Sequence, residues 1–122
     1  AICKMKLSIL VRKDLKMPKG KLASQVAHYA VEASLKADVK KLKQWVQEGI
    51  KKIIFKVEDE KELLEFEKKA KLFKLNHALI RDAGKTFFKE STVTCLAIGP
   101  DDDDKIDKIT KILRYYDKAV KG

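Results

Sequence analysis

The stretch Lys16-Met17-Pro18-Lys19-Gly20-Lys21-Leu22-Ala23-Ser24-Gln25-Val26-Ala27-His28 carries the turn from strand to helix on which the fold depends. The apolar run before it, Met5-Lys6-Leu7-Ser8-Ile9-Leu10-Val11-Arg12, has the length and composition of a buried strand. A loop over Asp14 to Lys19 follows, and Pro18 helps to stop the strand. A helix is expected from about Gly20 to Lys36, with Leu22, Val26, Ala30 and Ala33 recurring at helical spacing. Ala23, Ala27, Ala30 and Ala33 would let it approach a sheet closely. The opposite stripe is expected to hold Lys21, Gln25, His28 and Glu32. Lys16, Lys19 and Lys21 gather where that helix begins. A cationic loop at a helix N-terminus suits a phosphate or a developing oxyanion. A solvated basic loop accounts for the same residues.

Further along, Asp38 is placed to cap a second helix through Gln47, and Gly49 suits the position just past its end. Lys52-Ile53-Ile54-Phe55-Lys56-Val57 reads as a second strand. Glu58-Asp59-Glu60 opens a helix to about Phe73, with acids at its positive end. Ala78-Leu79-Ile80-Arg81 is a short third strand and Thr92 to Ile98 a fourth, broken by Gly99-Pro100. Asp101 to Asp104 opens a last helix with Ile106, Ile109, Leu113 and Tyr116 as its apolar positions. Capping explains these acids better than an ion site does.

Alternating strands and helices predict a single-domain α/β/α sandwich over residues 1–122, with a mixed four-stranded sheet and helices on both faces. Strands one and two should be parallel, because helices join them. Strands three and four, joined by a loop alone, should be antiparallel. Sites in such sheets lie beyond the carboxyl ends of the parallel strands.

The 122 residues carry a formal net charge of +10. Residues 1–56 hold 14 Lys+Arg against 4 Asp+Glu, whereas residues 57–122 hold 14 of each. The excess therefore lies in the half with the basic loop, which favours an anionic partner such as nucleic acid. A generally lysine-rich composition is the plainer account. No run is long and apolar enough to span a bilayer, and no signal peptide is visible. The chain begins at Ala1, which leaves an upstream anchor or targeting segment open. Cys3 and Cys95 lack metal-site spacing and are expected to be reduced and structural in an intracellular protein.

Asp82, leaving the third strand into Ala83-Gly84, is the second place where chemistry fits. A carboxylate there can orient a lysine, a water or an amide, or it can simply stabilise a turn. Thr92 and Thr94 should face one side of the fourth strand, with Val93 and Cys95 on the other. Neither His28 nor His77 has the partners of a nucleophilic triad, and neither belongs to a recognisable metal-ligand cluster. The spacing around Gly20 is not that of a nucleotide-triphosphate loop.

Val11 to His28 resembles the signature of the archaeal/eukaryotic type of peptidyl-tRNA hydrolase. Ala78-Leu79-Ile80-Arg81-Asp82-Ala83-Gly84-Lys85-Thr86 resembles that family's second motif, and Thr92 to Pro100 its third. The likeness runs from about Met5 to Tyr116. It implies a cytoplasmic hydrolase that cleaves the ester between a peptide and the 3′ end of tRNA, recycling the tRNA. It also implies catalytic roles for Lys21, Asp82, Thr86 and Thr94, with Gln25 and His28 beside the substrate. Lys21 would stabilise the oxyanion, Asp82 would hold Lys21 and orient or deprotonate a water, and the threonines would fix both. Arg12, Lys13, Lys16 and Lys19 would hold acceptor-stem phosphates. No metal or cofactor is implied. Pro18 departs from the family, which usually has glycine there.

A protein-interaction or signalling module of the same fold, without turnover, is the other reading. The intact set of Lys21, Asp82, Thr86 and Thr94 favours the enzyme. A generic RNA-binding domain would be expected to show aromatic stacking motifs on a strand. The sequence leaves the oligomeric state, including a homodimer, open.

Overall fold

β1 (Met5–Arg12) lies at the heart of the sheet and is buried on both faces, which explains its unbroken apolar run. The computed structural model describes residues 4–84, 88 and 90–116. The chain continues through α1 (Lys19–Lys36), α2 (Val39–Gln47), β2 (Lys52–Val57), α3 (Glu60–Leu72), β3 (His77–Asp82), β4 (Thr92–Asp102), α4 (Asp103–Thr110) and β5 (Arg114–Tyr115). The sheet order is β3-β4-β1-β2-β5. β1 pairs parallel with β2, and β3 antiparallel with β4, as the connections predicted. β4 also pairs antiparallel with β1. The carboxyl ends of β1, β2 and β3 therefore share one edge, where the loop before α1 and the loop after β3 meet.

Side chains alternate along β1 and feed two apolar layers. Leu7, Ile9 and Val11 face Tyr29 and Ala33 of α1 and Trp45 of α2. Leu10 faces Leu63 and Phe66 of α3 and Ile106 and Ile109 of α4. Local chemistry sets the helix ends. Asp38 caps α2 by accepting from Lys41 N, and Asp59 caps α3 by accepting from Glu62 N. After α2, Gly49 takes φ 105° and Ile50 N donates back to Trp45 O. This is the helix stop that a glycine makes cheap.

Several details differ from the sequence reading. The sheet has five strands, because α4 ends at Thr110 and Arg114–Tyr115 then pairs with β2. Leu113 and Tyr116, assigned to the helix by their spacing, instead pack beside the sheet. Gly99-Pro100 does not end β4, which continues through a cis peptide and an irregularity to Asp102. The acidic run then divides its labour. Asp102 caps α4, while Asp101 accepts from Lys41 and from Asn76 N, and Asp103 pairs with Lys6 and Lys51. Finally, the sheet-facing side of α1 carries Gln25 and Tyr29, whereas Ala23 and Ala27 are exposed.

Candidate active site

The loop after β1 is tightly wound. Lys13–Leu15 form a single 3-10 turn, and Lys16 closes it in the left-handed region at φ 49°. Met17 is buried in the α1-side core and anchors the loop. Pro18 then stands at the cap position of α1 with φ −60°, and it supplies no side-chain cap. The first turn contains no acid, so the positive end of α1 is left uncompensated by its own sequence. Lys19 and Lys21 add to that positive field.

Asp82 answers it from the end of β3. Its Oδ1 accepts from Gly84 N at 2.7 Å. Its Oδ2 accepts from Gln25 Nε2 at 3.0 Å and lies 3.4 Å from Lys21 Nζ. The Asp82 side chain is only 9% exposed and that of Lys21 16%. Burial pushes the Asp82 carboxyl up. The Gly84 amide, the Lys21 ammonium and the Gln25 amide outweigh that and hold it below its ordinary value. The carboxylate is thus ionised at neutral pH and fixed by three donors. Gly84 makes the turn possible: its φ is +79°, and a Cβ there would lie 2.7 Å from Glu90 C.

The ring centroid of Phe88 lies 5.8 Å from Lys21 Nζ, so the ammonium sits between a carboxylate and an aromatic face. Beneath them, Tyr29 donates its hydroxyl to Thr94 Oγ1 at 2.6 Å, and both side chains are fully buried. Desolvation raises the Tyr29 pKa, the main effect ahead of its neighbours, so the phenol stays a donor. Thr94 reaches this layer through a bulge. Ile80 pairs with Cys95 and Arg81 with Val93, which leaves Thr94 as the extra residue. Thr94 and Cys95 therefore both belong to the α1 side, and the simple alternation expected for Thr92 to Cys95 fails. Cys95 is a free, buried thiol, pushed far up by desolvation. Cys3 lies outside the described residues.

The expected site residues separate into groups. Lys21, Gln25 and Asp82 meet. Thr94 lies below them, and Thr86 falls outside the described residues. His28 points to solvent instead of joining Gln25, with Nε2 2.6 Å from Glu32 Oε1. Arg12 is held by Asp14 and donates to Val93 O, bracing the loop base against β4. Lys13 lies 3.7 Å from Glu58, and Lys16 and Lys19 are exposed. Tyr29 and Phe88 had no motif to announce them, although an aromatic in a polar loop and another one turn after Gln25 were visible signals. Among the described residues, no three His, Cys, Asp or Glu side chains converge as a metal site would need. Nor is any described helix long and apolar enough to cross a membrane.

A family model described as peptidyl-tRNA hydrolase PTH2 matches residues 5–116. The chain belongs to that family. Proteins named peptidyl-tRNA hydrolase are close to it in sequence. The one from Haloquadratum walsbyi is 46% identical over 112 residues, covering 92% of this chain and 100% of the relative. That from Methanothermobacter thermautotrophicus is 46% identical over 110 residues, covering 90% and 98%. That from Thermococcus onnurineus is 47% identical over 109 residues, covering 87% and 92%. In this PTH2 member the matched segment runs from the first residue of β1 to the residue after β5.

Proposed function

We propose that this chain hydrolyses the ester joining a peptide to the 3′-terminal ribose of tRNA, with Lys21 and Asp82 at the centre of the chemistry. The observation that carries the reading is the convergence of Lys21, Gln25 and the Gly84 amide on the Asp82 carboxylate. An interaction surface has no need of a buried carboxylate held by three donors, whereas an ester hydrolase needs a fixed acceptor beside a fixed cation.

In this mechanism Asp82 accepts a hydrogen bond from water and aims it at the ester carbonyl. Its depressed pKa makes it a weak base, so orientation is its main contribution and the proton passes on to solvent as the new C–O bond forms. Lys21 stabilises the carbonyl oxygen as it gains negative charge. The bond to the ribose oxygen then breaks, that oxygen takes a proton, and the products are a peptide carboxylate and tRNA with a free 3′ hydroxyl. Gln25 fixes Asp82 and so keeps the water line. Thr94, from below, sets the floor of the site through Tyr29. The role of Thr86 follows from the second motif alone.

Lys13, Lys16 and Lys19 hold phosphates of the acceptor stem. Such contacts are indifferent to base sequence and sensitive to salt. Arg12 supports this loop from inside, and His28 reaches substrate only at the outer rim of α1. The family is one of translation enzymes, and we place this activity in the cytoplasm. The test is release of amino acid from an N-blocked aminoacyl-tRNA by the wild type and by Asp82→Asn. Rapid release by the first and almost none by the second is expected; equal rates would remove Asp82 from the mechanism.

A further inference from the structure

Past the site, the sheet offers an open face that the reaction scheme does not use. Register partners share a face of the sheet. Lys52, Ile54 and Lys56 of β2 stand beside Leu7, Ile9 and Val11 of β1, so all three belong to the α1 side. Arg114 of β5 stands opposite Lys56 and faces the same way. Tyr116 packs against the same layer, and its N–H donates to Ile54 O at 2.8 Å. Yet α1 and α2 lie over β1, β3 and β4. This face of β2 and β5 is left partly bare: Lys52 and Arg114 are exposed, while Ile54, Lys56 and Tyr116 are half-buried.

The strip thus holds three cations interleaved with an aliphatic and an aromatic side chain. No carboxylate among the described residues pairs with Lys52, Lys56 or Arg114; Lys52 Nζ reaches only Ile50 O, at 3.3 Å. Lys56 and Arg114 are like charges directly opposite on paired strands, an arrangement that destabilises a sheet unless an anion lies across it. Lys56 also neighbours Val11 at the end of β1, so the strip runs on from the Lys13–Lys19 loop. Glu58 and Glu62 line one groove together with Lys56 and Arg114, and Glu58 lies 3.7 Å from Lys13, so these carboxylates border the strip at the carboxyl end of β2 and confine phosphate to its open side. Between β3, which bears Asp82, and β2 lie three strand steps, roughly 15 Å. That is several nucleotides from the reacting ester.

We propose that the open β2–β5 face is a second contact for the RNA backbone, with Lys56 and Arg114 gripping phosphates of the tRNA arm behind its 3′ end. It rests on peptidyl-tRNA being the substrate. The strip positions the substrate and does no chemistry, so its removal should affect long substrates only.

The experiment compares two substrates, a full-length N-blocked aminoacyl-tRNA and the same blocked amino acid on a short oligonucleotide ending in the same 3′ nucleotides. For Lys56→Ala with Arg114→Ala, KM for the full-length substrate should rise about tenfold with kcat unchanged, and the short substrate should be hydrolysed as by the wild type. The slope of log affinity against log salt should become shallower by about 1.5. Lys56→Glu with Arg114→Glu should weaken binding further. Thermal unfolding of the alanine variant should be no lower than wild type, since a repulsive pair is relieved. An unchanged KM and salt slope on full-length substrate would overturn the proposal while leaving the hydrolase reading standing. So would an equal KM rise on both substrates. Wild-type inactivity on both would overturn the two together.

Discussion

Gln25 donates to the same Asp82 oxygen that Lys21 approaches, at 3.0 Å and 3.4 Å, while the other oxygen belongs to Gly84 N. One helix face and one turn therefore lock a single carboxylate from two sides. The arrangement ranks the three side chains. Lys21→Met should lower kcat/KM by about 10² to 10³, the range for loss of an oxyanion donor. Asp82→Asn should cost a comparable factor, and Gln25→Ala only about tenfold, because two donors still hold Asp82. Steady-state kinetics on a blocked aminoacyl-tRNA decide the order; a Gln25→Ala loss as large as that of Asp82→Asn would mean Gln25 touches the reacting atoms.

The pH profile follows from the same donors. Asp82 is held below its ordinary value of 3.8, so activity should be level through neutral pH and fall only when pH drops through that depressed value. A group depressed on folding contributes stability above its unfolded pKa and loses it as pH falls through the folded one. Asp101 and Asp103 are depressed likewise: burial pushes each up, and backbone amides and Lys41 for Asp101, Lys6 and Lys51 for Asp103, more than offset it. Thermal melts should therefore be flat above about pH 5 and decline steeply below about pH 4. In Gln25→Ala the acid limb of kcat/KM should move upward. A limb that stays in place would show that Gln25 does not hold Asp82 in solution.

Gly84→Ala places a Cβ 2.7 Å from Glu90 C and 2.9 Å from Ser91 N at a φ of +79°. The turn must open, and the amide bond to Asp82 goes with it. Destabilisation of about 1–3 kcal/mol is expected, together with a larger loss of kcat than of melting temperature would suggest. Gly20→Ala is the control, since nothing lies within 4 Å of a Cβ there. Equal behaviour of the two variants would sink the account.

Tyr29→Phe removes the buried donor to Thr94 without changing the packing of the ring. About 1 kcal/mol of stability should be lost. If the bulge is a floor for the site, kcat should fall several-fold with KM unchanged. A stability loss with kcat intact would make the Tyr29–Thr94 pair purely structural.

Much of this was legible in the residues. The continuous apolar run of β1, the cap at Asp38, the acidic start of α3 at Glu58-Asp59-Glu60 and the stop at Gly49 are local, and local chemistry places them. Lys21 and Asp82 stand out by charge next to a helix start and a glycine turn. Gln25 is polar and lies in line with Lys21, so helical spacing alone puts it on one stripe with His28 and does not tell a buried position from an exposed one. Its burial is decided by Asp82, which is 57 residues away in the chain. β5 was hidden because two residues of strand, Arg114–Tyr115, have no period of their own.

The sequence by itself determined the order of the first four strands and the four helices, the parallel pairing of β1 with β2 and the antiparallel pairing of β3 with β4 that the connections demand, and the two segments that bear the chemistry. Each depends on spacing or turn chemistry within a few residues. Only the tertiary structure decided which side of α1 meets the sheet, that a bulge turns Thr94 toward Tyr29, and that β2 and β5 leave Lys56 and Arg114 uncovered. Those outcomes depend on the register of paired strands and on how far a helix extends over a sheet. Both are set by packing between residues distant in the chain, which no local pattern records.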